Sequence, residues 1–62
     1  MTDTIFCVEG FTDNTTASPK FSAKTLGEAK AVFNTRVSRG DIEVTLWKVK
    51  GFNAELLKEI NK

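Results

Sequence analysis

Apolar and polar residues alternate along much of the chain, and the places where the period changes mark its elements. Thr4–Phe11 (TIFCVEGF) is short, rich in Ile, Phe and Val, and followed by turn formers, so it reads as a strand. Ile5 and Cys7 lie on one face and Phe6 and Val8 on the other. A strand apolar on both faces belongs in the middle of a sheet. Thr12–Pro19 is a loop of Thr, Asp, Asn, Ser and Pro, residues that compete for backbone hydrogen bonds or remove a donor. Lys20–Lys24 (KFSAK) alternates again. Phe21 and Ala23 share one face, while Lys20, Ser22 and Lys24 share a wet one, as on an edge strand.

At Thr25 the period lengthens. Thr25-Leu26-Gly27-Glu28 has the form of a capping box. Leu26, Ala29, Phe33 and Val37 then fall on one helical stripe. Arg36 and Arg39 occupy the last turn, where they favour the helix dipole, and Gly40 is the stop. Asp41–Phe52 returns to alternation, with Ile42, Val44 and Leu46 on one face and Glu43, Thr45, Trp47 and Val49 on the other. Lys48 and Lys50 continue the first face beyond the core. Asn53 reads as a second cap, opening a short helix from Ala54 to about Asn61 with Leu56, Leu57 and Ile60 on one side. A helix that short is marginal alone and must dock.

The expected order is therefore β-β-α-β-α within one small α+β domain spanning residues 1–62. The crossover from second to third strand makes those two parallel. The loop after the first strand makes the first pair antiparallel. Placing the first strand in the middle satisfies both, giving a three-stranded antiparallel sheet of order 2-1-3. The long helix covers the face holding Phe6, Val8, Phe21, Ala23, Ile42, Val44 and Leu46. The short C-terminal helix is expected to cover the other face, including Trp47, with Leu56, Leu57 and Ile60. Left uncovered, that face would be a partner or dimer surface.

Composition narrows the chemistry. The chain has 62 residues, no histidine and one cysteine, Cys7. These counts exclude an internal disulfide, a Cys/His zinc site and any His-based triad. Its carboxylates do not cluster, and no phosphate-binding glycine loop is present. The expectation is a protein that is not an enzyme, with no cofactor and no metal. Hydrophobic residues make up 40% of the chain, which at this size leaves a margin of only a few kcal/mol. Nine basic and eight acidic residues give a net charge of +1. Residues 20–50, with seven basic residues against three acidic ones, are mildly basic. No secretion signal or membrane span is visible, and a lone cysteine fits a reducing cytoplasm.

What remains for function is surface. Trp47 is the most informative residue, because aromatic residues and arginine are enriched at energetic centres of interfaces. The candidate partner-binding set is Trp47, Lys48 and Lys50 on the last predicted strand, with Arg36 and Arg39 at the helix end. A second reading takes Lys20, Lys24, Lys48 and Lys50 as a basic rim for nucleic acid. A third is self-association through the Trp47 face, as a weak homodimer.

The stretch Thr25-Leu26-Gly27-Glu28-Ala29-Lys30, then Gly40, then Ile42-Glu43-Val44-Thr45-Leu46-Trp47-Lys48-Val49, resembles a design found in small bacteriophage early proteins. Among these are the podovirus inhibitors of host RNA polymerase and some anti-CRISPR proteins. The resemblance covers about half the chain. In the polymerase inhibitors the helix carries a strip of acids, of which only Glu28 stands here. Their paired arginines after the Glu-Val-Thr segment are replaced by Leu46 and Lys48. The resemblance implies a phage-encoded protein that binds and inhibits a host protein, such as a transcription or defence complex, in the host cytoplasm.

Overall fold

The computed structural model describes residues 3–61. Its elements are β1 (Thr4–Phe11), β2 (Phe21–Ala23), α1 (Leu26–Arg39), β3 (Glu43–Lys50) and β4 (Asn53–Asn61). They form an antiparallel sheet of order β2-β1-β3-β4 with α1 on one face. The α+β class and the central position of β1 agree with the sequence pattern. Two expected strands are shorter than their alternation suggested. The first contracts to Phe21–Ala23 and the other to Glu43–Lys50.

The C-terminal segment corrects the expectation. Residues 53–61 are a strand, not a helix, and they add a fourth member to the sheet. The physical cause lies in the turn. Gly51 adopts φ 62°, and among the described residues only glycines take a positive φ. A two-residue hairpin with glycine first has that geometry, and it folds the chain back along β3. The backbone groups on that side of β3 then find partners, which a docked helix would have left unpaired. The adjacent Leu56 and Leu57 break the period of two and so imitate a helical stripe. A register shift opposite Leu46 and Trp47 absorbs the extra residue as a β-bulge.

The core lies between α1 and the sheet. Val8, Ala29, Phe33, Val44 and Leu46 are buried together, with Phe6, Phe21, Val32, Val37 and Ile60 packed around them. Of the expected helix stripe, Ala29 and Phe33 are buried and Val37 partly so, whereas Leu26 at the first turn is exposed. Ile42 stops short of β3; its amide bonds to the Phe11 carbonyl at 3.1 Å. Thr25 caps α1 by accepting the Glu28 amide at 3.3 Å, and Gly40 closes its far end onto the Arg36 and Val37 carbonyls.

Two local devices set the frame. Gly10 sits opposite Val44 at φ 150°, and a Cβ there would lie 2.0 Å from the Glu43 carbonyl oxygen. The loop after β1 is ordered by Asp13, whose Oδ1 accepts the Thr15 and Thr16 amides, both at 2.8 Å. These bonds hold the Asp13 carboxyl below its ordinary range.

Candidate functional site

With β4 in the sheet, no helix or further strand among the described residues covers the side opposite α1. Cross-strand register defines its rows. Ile5, Val49 and Ala54 form one, and Cys7, Trp47 and Leu56 the next. Glu9, Thr45 and Glu59 follow, then Phe11, Glu43 and Asn61. Side chains alternate along each strand, so these residues share the open face while Val8, Val44 and Leu46 point into the core.

Trp47 is tethered on this face. Its indole Nε1 donates to Thr45 Oγ1 at 3.0 Å, and Thr45 Oγ1 donates in turn to the Glu9 carbonyl at 3.2 Å. Thr45 is buried, and Trp47 remains half-buried. A large, half-buried ring with its only donor satisfied offers apolar area at little cost in side-chain freedom. Leu56 lies beside it, exposed, with Leu57 next in the bulge. Cys7 is only 1% exposed, with Sγ 3.6 Å from Ser22 Oγ. That burial fits a packing role for the thiol.

Charge divides the open face. Glu9, Glu43, Glu59 and Lys20 surround a shallow cleft floored by Thr45 and Trp47. Three carboxylates against one ammonium make that end acidic. The end holding Ile5, Val49 and Ala54 is apolar. Among the described residues no three Cys, Asp or Glu side chains are placed to hold a metal ion.

The residues singled out from the sequence do not form one patch. Trp47 is on the open face. Lys48 and Lys50 alternate onto the opposite face, beside Asn53 and Glu55 near the hairpin tip. Lys20 borders the cleft that holds Trp47, while Lys24 lies at the sheet edge between Ile5 and Glu28 of α1. The four lysines thus do not share one face. Arg36 is 8% exposed and donates to the Pro19 carbonyl, and burial pushes its pKa down. Arg39 grips Asp41 through two bonds, Nε to Oδ1 at 2.8 Å and Nη2 to Oδ2 at 2.7 Å. Both arginines tie the helix end to neighbouring loops.

Asp41 is the centre of that tie. It is 1% exposed, and Ser18 Oγ also donates to its Oδ2 at 3.0 Å. The Arg39 bonds first, then the Ser18 bond, hold its carboxyl below the ordinary range against the opposing effect of burial.

Sequence reasoning missed Leu56 and Leu57 as surface neighbours of Trp47, and missed the glutamates around it. The available signal was Lys50-Gly51-Phe52-Asn53, a two-residue turn between two runs of strand length. Set against known proteins, the chain matches no protein-family model, no curated protein and no solved structure.

Proposed function

We propose that the chain is a non-catalytic accessory protein of bacteriophage type that binds a host protein and inhibits it by covering part of its surface. The observation that carries this reading is the uncovered sheet face centred on Trp47. It combines an anchored aromatic ring, the flanking apolar residues Ile5, Val49 and Leu56, and an acidic border of Glu9, Glu43 and Glu59. Such a face supports an interface with an apolar centre and polar rim. The complementary partner presents an apolar patch edged by basic residues. The phage origin rests on the resemblance of residues 20–50, and with it the host cytoplasm as the place of action.

Nucleic-acid binding is less well supported, because Lys20 lies beside Trp47 on the open face, Lys24 beside Glu28 at the start of α1, and Lys48 and Lys50 on the helix side near the hairpin tip. A single phosphate track needs such cations on one path.

The test is affinity capture from bacterial lysate with the wild-type chain beside Trp47→Ala, followed by a salt series on the retained protein. The reading expects one bacterial protein retained by wild type and lost with Trp47→Ala. Equal retention by both would remove Trp47 from the site. Retained nucleic acid that elutes steeply with salt would favour the other reading.

A further inference from the structure

We propose that β4 is a self-recognition edge, on which a second copy of this chain adds its own β4 antiparallel to form one continuous eight-stranded sheet. This does not rest on the host-protein reading. Among the described residues the outer backbone edge of β4 faces no other strand, and β4 is exposed along its length except at Ile60. An uncovered edge is a template for pairing. The other edge of the sheet is only the three residues of β2, flanked by Pro19, Lys20 and Lys24.

The choice of a second copy comes from a palindrome in β4. By register, Asn53, Glu55, Lys58 and Ile60 sit opposite Lys50, Lys48, Leu46 and Val44, on the helix side. Ala54, Leu56 and Glu59 sit opposite Val49, Trp47 and Thr45, on the open side. The bulge sets Leu57 with Leu56 against Trp47. The face pattern therefore reads the same in both directions from the Leu56–Leu57 peptide. A two-fold axis midway between the two strands, level with that peptide, places Asn53 opposite Ile60 of the second copy, Ala54 opposite Glu59, Glu55 opposite Lys58 and Leu56 opposite Leu57. Every pair joins residues of one face, as a continuous sheet requires. Shifting the pairing by one or two residues either way sets a helix-side residue against an open-side one.

Charge agrees with this register. The axis makes two Glu55–Lys58 pairs on the helix side, and opposite charges directly across strands attract. On the open side it gathers Leu56 and Leu57 of both copies next to the two Trp47 rings. Such an interface is isologous and closes at two copies.

The test uses sedimentation of the full chain at rising concentration, with amide hydrogen exchange at the same concentrations. Wild type should move from 6.9 kDa toward twice that mass, and β4 amides should gain protection while β2 amides do not. Lys58→Glu and Glu55→Lys each turn both charge pairs repulsive and should weaken the dimer by about tenfold. The double variant Glu55→Lys with Lys58→Glu restores both pairs and should restore the dimer. Circular dichroism confirms that each variant is folded, and the wild-type exchange data stand without them. A monomer up to about 1 mM would overturn the proposal. So would a dimer that protects the Trp47 face but not the β4 backbone, or one indifferent to both charge reversals.

Discussion

The two edges of the sheet are built oppositely, and the difference separates what holds this protein together from what it can offer a partner. At the β2 edge three residues suffice, because Phe21 packs against the core and Ala23 is buried. The loop before β2 is tied down by Asp13, by the Phe11–Ala17 bridge and by the Ser18–Asp41–Arg39 cluster. At the β4 edge eight of nine residues are paired to β3, Leu57 being the bulge, and Ile60 is the one β4 side chain among the described residues that packs on the core. Lys58 reaches the helix there, its ammonium 5.3 Å from the centre of the Phe33 ring. Stability is concentrated under α1, and accessible surface lies on β4 and the open face.

The largest break of this contrast is a core truncation. Phe33→Ala should cost about 3–4 kcal/mol, comparable to the whole stability of a domain this small, so thermal melting should show a largely unfolded chain. Phe52→Ala at the hairpin tip, where the ring is fully exposed, should leave the melt unchanged within about 0.5 kcal/mol. Next comes Gly10→Ala. Its Cβ meets the Glu43 carbonyl, and the strands must part or β1 must shift, at a cost of about 2–3 kcal/mol by denaturant titration.

Removing the Asp41 tie should cost about 2 kcal/mol in Asp41→Ala, since Ser18 loses a buried partner while Arg39 can turn to water. The same group gives a pH dependence. Its folded pKa lies below the ordinary 3.8, so its contribution is present above that value and is lost as pH falls through the depressed one. Stability measured from pH 6 downward should decline more steeply in wild type than in Asp41→Asn. Among these site substitutions the smallest effect on stability, apart from the exposed Phe52 control, belongs to Trp47→Ala. It removes a half-buried ring from the open side and should cost about 1 kcal/mol while abolishing partner capture.

The same two regions explain what could be read from the chain alone. Thr4–Phe11, the Thr25–Gly40 helix and the Glu43–Lys50 alternation have strong local signals that agree with the tertiary packing, and β1 was placed centrally because both its faces are apolar. Asn53–Asn61 reads as a helix from the sequence because Leu56-Leu57 breaks the period of two. The deciding information lay in the Gly51 turn and in the free edge of β3, and the latter is not a local property. Arg36 illustrates the converse. As a residue type it suggested a binding contact, but its position on the helix brings it against the Pro19 carbonyl inside the fold. Trp47 stands out in the sequence as the single tryptophan. Its exposure depended on where residues 53–61 went.

The central claim is that function resides on the uncovered face. It is tested most directly by recording amide and indole NMR signals of the isotope-labelled chain in buffer and in unlabelled bacterial lysate. The account predicts selective broadening of the Trp47 indole and of the Ile5, Val49 and Leu56 amides, with the outward helix residues Lys30, Asn34 and Thr35 unchanged. Broadening confined to the outward helix residues, or no selective change at Trp47, would contradict it.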